Sequence, residues 1–150
     1  MTDLNKDFKE FIVLLNENEV DYLLIGGYAV GFYGYPRFTQ DIDIWIERTE
    51  DNIKKLFNAL RDFGFPVKEL KIKDFMKSNT IFQMGKPPYR IDILNEIEGV
   101  KFSNCFKRKV RFTVDAVTIN IISLKDLKKN KKAAGRLKDL NDLYYLKKNN

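Results

Sequence analysis

The segment Asp41-Ile42-Asp43-Ile44-Trp45-Ile46 constrains this chain more than any other. Acidic and apolar side chains alternate, and in a β-strand successive side chains take opposite faces. The pattern therefore predicts a strand that turns Ile42, Ile44 and Ile46 into a core and sets Asp41 and Asp43 side by side on the other face. Two carboxylates so placed repel each other unless a cation lies between them. Arg37, just upstream, offers one such cation. A divalent metal offers another, since Mg²⁺ takes carboxylate and phosphate oxygens at about 2.0–2.1 Å. Tyr89–Leu94 repeats the arrangement, with Ile91 and Ile93 inward and Arg90, Asp92 and Leu94 outward. Asp92 on a neighbouring strand would complete a two-metal site, in which the ions stand roughly 3.5–4 Å apart. An isolated Asp-x-Asp is equally compatible with a solvated strand edge.

The remaining periodicities supply a frame for these strands. Leu4, Phe8, Phe11, Ile12 and Leu15 recur at helical spacing and predict an amphipathic helix over 4–18. Tyr22–Ile25 is a short buried strand ending at Gly26-Gly27, and residues 28–34 begin a short helix that Tyr35-Pro36 breaks. Thr49 or Asp51 caps a helix carrying Ile53, Leu56, Phe57, Leu60 and Phe63, closed by Gly64. Strands follow at 80–84 and 89–94, joined by the turn Gly85-Lys86-Pro87-Pro88. Residues 99–106 fit neither period. A further strand pair covers 108–114 and 117–122. Ser123 caps a helix to about Ala133, Gly135 interrupts, and Leu137, Leu140, Leu143 and Tyr144 mark a last helix. This order predicts an α/β (α+β) fold, a mixed sheet of about five strands flanked by helices, as one domain over residues 1–150 with a basic helical segment at 123–148.

Composition narrows the chemistry. The 150 residues contain no histidine and one cysteine, Cys105. Ser-His-Asp catalysis, histidine acid–base steps and His-ligated zinc are excluded, and Cys105 lacks a histidine to activate it as a nucleophile. Catalysis must rest on carboxylates, Lys, Arg or metal. A single cysteine and the absence of an apolar run of membrane-spanning length or of a signal-peptide layout fit a cytoplasmic protein without a membrane partner. The net charge of +6 conceals an asymmetry: residues 1–100 hold 13 Lys/Arg against 17 Asp/Glu, and residues 101–150 hold 14 against 4. A surplus of +10 in the last third suits a polyanionic partner, though it would also serve as a solvated face.

The order of these features resembles a known signature. Leu24 to Ile46, LIGGYAVGFYGYPRFTQDIDIWI, is similar to that of the nucleotidyltransferase superfamily that includes DNA polymerase beta: an apolar residue, Gly-Gly or Gly-Ser, a spacer, then Asp-apolar-Asp/Glu-apolar. The spacer here is the 13 residues Tyr28 to Gln40. Ile91-Asp92-Ile93 matches the third carboxylate. Arg37-x-Thr39-x-Asp41-x-Asp43 and the tail SLKDLKKNKKAAGRLKDLNDLYYL, Ser123 to Leu146, resemble a subgroup of bacterial toxin-type and abortive-infection nucleotidyltransferases.

That resemblance implies metal-dependent transfer of a nucleoside monophosphate from an NTP to an acceptor hydroxyl, with Asp41, Asp43 and Asp92 as catalytic residues and ligands of two Mg²⁺ ions, or Mn²⁺. Asp92 would also take the hydroxyl proton. It places Gly26, Gly27, Arg37, Thr39, Lys131, Arg136 and Asp139 at the nucleotide. By itself Gly26-Gly27 reads as a tight strand-to-helix turn, and Arg136 with Asp139 as a surface pair of little energetic weight. RNA, tRNA first, is the implied acceptor, and an antitoxin the implied protein partner. A protein or antibiotic-like small molecule is the alternative acceptor, although the chain has little material beyond the core for a second-substrate pocket. A non-catalytic nucleic-acid-binding module is the alternative outside enzymology.

Overall fold

The computed structural model describes residues 4–35, 39–85 and 88–149. Its elements run α1 (Lys6–Glu17), β1 (Tyr22–Ile25), α2 (Gly26–Phe32), β2 (Asp41–Ile46), α3 (Glu50–Asp62), α4 (Ile72–Met76), β3 (Ile81–Met84), β4 (Arg90–Leu94), α5 (Phe102–Lys107), β5 (Val110–Val114), β6 (Val117–Ile121), α6 (Leu124–Ala134) and α7 (Leu137–Asn149). Six strands form one mixed sheet in the order β3-β4-β2-β1-β6-β5, one more than the expected five. β1 pairs antiparallel with β2 and parallel with β6, β2 pairs parallel with β4, and β3–β4 and β5–β6 are antiparallel neighbours.

The alternation in β2 is realised. Ile42, Ile44 and Ile46 are buried while Asp41 and Asp43 are only partly so. Phe8, Phe11, Ile12 and Leu15 of α1 and Ile53, Leu56 and Leu60 of α3 join the same core. Local chemistry sets the helix ends. Asn5 and Thr49 accept backbone N–H groups at the starts of α1 and α3, and Gly135 closes α6 with φ of 65°, the left-handed geometry a glycine adopts without penalty. Buried Asn52 bonds the backbone of Asp21 and Glu47, tying the start of β1 to the end of β2.

The ambiguous residues 99–106 overlap α5, whose Phe102 and Phe106 stack at one-turn spacing while Trp45 meets Phe102 edge-on. The short helix α4 was not expected. The second helix begins at Gly26, two residues before the expected start. Among the described residues no helix is long and apolar enough to cross a membrane.

Candidate active site

The parallel pairing of β2 with β4 puts Asp43 opposite Asp92 and Asp41 opposite Arg90. All four side chains lie on the face away from the isoleucines. Arg90 is the cation between the carboxylates: its Nε donates to Asp92 Oδ1 at 2.8 Å, and its Nη2 donates to Asp41 Oδ2 at 3.0 Å and to Asp92 Oδ2 at 3.2 Å. Arg37, proposed from sequence for that position, lies outside the described residues. Arg90 was legible on the right face of its strand, but its partners belong to a pairing that local sequence does not encode.

Asp43 differs from its two neighbours. It lines a narrow cleft, and burial together with the adjoining charges of Asp92 and Asp41 pushes its carboxyl up to about 6. Gly26 explains why the chain has no side chain there. It has φ of 70°, and a methyl group at that position would overlap the Asp43 carboxylate. The α2 turn can therefore lie directly against Asp43. Ile25 precedes it with no side-chain cap among the described residues, and the first amides of a helix have no acceptor within the helix itself.

The opposite wall of the cleft comes from α6 and the segment after it: Asn130, Lys131, Arg136 and Asp139. These residues do not form the surface pair that sequence alone allowed. Asp139 is 1% exposed and Lys131 5%. Lys131 Nζ lies 3.3 Å from Asp139 Oδ1 and 3.1 Å from Asp142 Oδ2, and Asp142 is fully buried. Arg136 caps the group from outside, its Nε 2.6 Å from Asp139 Oδ2. Burial alone would raise the Asp139 carboxyl, but the Arg136 hydrogen bond and the Lys131 charge outweigh it and hold it below the ordinary range. Asp142 had no sequence signal, because one aspartate on a charged helix reads as surface. Thr39 is engaged locally, donating to the Asp41 carbonyl at 3.1 Å. Cys105 is buried, and burial and Asp126 push its thiol up to about 12, so it is no nucleophile.

Among the described residues no three acidic or thiol side chains are gathered in position to hold one metal ion, because Arg90 draws Asp41 and Asp92 to itself. The donor chemistry nevertheless fits a divalent cation. It is all carboxylate oxygen, and Asp43 is raised by burial first and then by the charges of Asp92 and Asp41, which a bound cation would offset. The cleft encloses about 100 Å³, below the roughly 300–1,000 Å³ of pockets that enclose a whole ligand. A cleft of that size does not enclose a whole nucleotide.

No family model and no curated protein sequence matches the chain. Solved structures do. The chain is similar to the lincosamide antibiotic adenylyltransferase LnuA in its lincomycin-bound form, at 16% identity over 100% of both chains with a TM-score of 0.58. A Thermotoga maritima protein assigned as a nucleotidyltransferase matches at 16% identity over 94% of this chain and 88% of its own, TM-score 0.60. The antibiotic-resistance factor ANT(2″)-Ia matches at 9% identity over 93% and 80%, TM-score 0.59. The mixed sheet and its flanking helices are thus the fold of nucleotidyltransferases.

Proposed function

We propose that this chain is a nucleotidyltransferase that moves a nucleoside monophosphate from an NTP to a hydroxyl of RNA, breaking the bond between the α- and β-phosphates and releasing pyrophosphate. One observation carries the reading: Asp43, beside Asp92 and Asp41, lies directly against the glycine turn of Gly26-Gly27 and lines a cleft whose opposite wall carries Lys131, Arg136 and Lys138. Asp41, Asp43 and Asp92 would hold Mg²⁺ or Mn²⁺, as two ions, which neutralise the triphosphate and activate the attacking hydroxyl. Gly26 and Gly27 let backbone N–H groups approach phosphate oxygens. Arg136 and Lys131 oppose the charge of the β- and γ-phosphates, with Asp139 orienting both. Arg37 and Thr39 stand on the chain leading into β2 and belong to the same reading.

With no histidine present, the hydroxyl proton goes to an oxygen of the Asp43–Asp92 pair. Asp92 has both oxygens on Arg90 as the site stands, whereas Asp43 opens into the cleft. Most of the rate enhancement then comes from positioning and charge neutralisation.

The basic last third favours RNA, and a neutralising antitoxin protein belongs to this reading as its partner. The alternative, a small antibiotic-like acceptor, has an observation of its own. LnuA is matched end to end by this chain, so a chain of this size suffices in that protein for a small acceptor. The shortage of material weighed against that alternative in the sequence therefore does not count against it.

Incubation with each α-labelled NTP, Mg²⁺ and total RNA, with a lincosamide in a parallel series, tests both. Label on a discrete RNA band, reduced at least roughly a thousandfold in Asp43→Ala, is the expected result. Label on the lincosamide alone transfers the assignment to the small acceptor. Wild-type turnover in Asp43→Ala removes the catalytic reading.

A further inference from the structure

A second concavity lies beside the cleft, and none of the assigned site residues lines it. It encloses about 460 Å³ between the segment entering α5 and the flank of α6, and its lining includes Lys101, Asn104, Arg108 and Lys129 with no carboxylate. Asn104 and Arg108 are four apart, on one face of α5 and its cap. Arg108 is held in place there by the buried carboxylate of Asp126, through Nε at 3.0 Å and Nη2 at 2.9 Å. Lys101 and Lys129 are exposed, and among the described residues neither has a carboxylate within ion-pair distance.

The two concavities share a wall. Glu98 and Asn130 line the cleft, while their chain neighbours Gly99 and Lys129 line the hollow. The wall is fastened on both sides: Asn130 Nδ2 donates to the Glu98 carbonyl at 3.0 Å, and Gly99 is pressed so closely on Ala133 that a methyl group would overlap it. The hollow and the Asp43 cleft are thus neighbours along α6, with Lys129 on one side and Asn130 and Lys131 on the other.

We propose that this hollow holds backbone phosphates of the acceptor RNA, so that an RNA end with its free hydroxyl enters the cleft at Asp43. The inference rests on the nucleotidyltransferase reading and adds to it the place where the acceptor binds. Two free ammonium groups, an immobilised guanidinium and an amide suit phosphodiester oxygens. The only acidic side chain on the shared wall, Glu98, lies within the electrostatic reach of Arg136 and faces the cleft side. The +10 surplus of residues 101–150 thereby acquires a location rather than a diffuse role.

The test is fluorescence anisotropy of a fluorescein-labelled 20-nucleotide single-stranded RNA on the full chain without NTP, over a series of KCl concentrations. The double variant Lys101→Glu/Lys129→Glu is compared with Lys68→Glu/Lys73→Glu, an equal charge change at exposed positions away from the hollow. The hollow variant is expected to weaken binding about tenfold or more, and to lower the slope of log Kd against log salt by about 1.4 for two lost phosphate contacts. The remote variant should change Kd less than about twofold. All four positions are exposed, so circular dichroism should find both variants folded. Equal weakening by the two variants overturns the site, since binding would then follow net charge alone. Absence of RNA binding by the wild type, with transfer to a small acceptor intact, also overturns it while leaving the catalytic reading standing. Asp43→Ala separates the two claims: RNA affinity should be retained and transfer lost.

Discussion

The chain contains two groups of three carboxylates whose circumstances are opposite. Asp126, Asp139 and Asp142 in the C-terminal helices are 0–1% exposed, and each has a cation within 3.3 Å. Asp41, Asp43 and Asp92 on the strands share one guanidinium, which reaches only two of them. Burial would raise Asp126 and Asp139, yet hydrogen bonds from Arg108 and Arg136 overcome it and both carboxyls are depressed. Asp43 is raised, by burial first and then by Asp92 and Asp41. The paired group stabilises the fold. In the strand group Asp43 costs stability when ionised, raised by burial beside two like charges, which is in keeping with the proposed ligand site. Their pH responses have opposite signs. Depressed carboxyls contribute stability that is present above the ordinary carboxylate pKa and lost as pH falls through the folded value. A raised carboxyl favours the folded state while protonated, so that contribution is lost as pH climbs from about 4 through 6.

The largest effect in this comparison should follow from removing the cation of the paired group. Lys131→Met leaves Asp142 without that partner and Asp139 with Arg136 alone, both buried. We expect a loss of about 3–5 kcal/mol in chemical denaturation at pH 7. A loss below about 1 kcal/mol would place Lys131 among the surface charges and dissolve the distinction between the groups.

Next is Gly26→Ala. The left-handed backbone and the overlap with Asp43 together should cost on the order of 1–3 kcal/mol. Nucleotidyl transfer should fall further than stability accounts for, since the α2 turn must withdraw from the carboxylate. Stability and transfer both at wild-type levels would show that close approach at Gly26 is not required.

Asp43→Asn should act in the opposite direction. Removing the raised carboxyl is expected to stabilise the divalent-free protein at pH 8 by roughly 2–3 kcal/mol, from about 1.36 kcal/mol for each pK unit. That corresponds to about 5–10 °C in Tm. The gain should disappear below pH 4, where Asp43 is protonated in both folded and unfolded chains. A thermal melt series from pH 4 to 8 reads this directly. An Asp43→Asn protein less stable than wild type at pH 8 would mean that the carboxylate is well partnered after all.

The two groups were unequally legible in the sequence. Alternation is a local property, so the shared face of Asp41 and Asp43 and the inward isoleucines could be read from six residues. The caps at Thr49 and Ser123 and the breaks at Gly64 and Gly135 are likewise written within a few positions. The β2–β4 register was not, because α3, α4 and β3 intervene between the two strands. Only that register identifies Arg90, rather than a residue near Asp41 in sequence, as the bridging cation. The paired group was hardest to read. Lys131 and Asp142 are 11 positions apart on different helices, and charged residues in a Lys-rich tail are ordinarily solvated. Their burial is a consequence of how α6 packs on α7, and no period within either helix announces it.

Arg90 allows the smallest and most specific test. Its guanidinium holds Asp41 and Asp92 together, and on the proposed reading a divalent cation would compete with it for the same oxygens. If the strand group is a ligand site held partly neutral in the absence of its ligand, Arg90→Gln should tighten Mn²⁺ binding without NTP by roughly threefold or more in calorimetric titration. If Arg90 instead orients the carboxylates, the same change should weaken Mn²⁺ binding. The Arg90 side chain is 42% exposed and outside the apolar core, and circular dichroism of the variant keeps either outcome distinct from unfolding. A tighter Mn²⁺ affinity combined with slower transfer would show one residue serving both ends of the cycle: it keeps the acidic face together before the ligand arrives and must yield when it does.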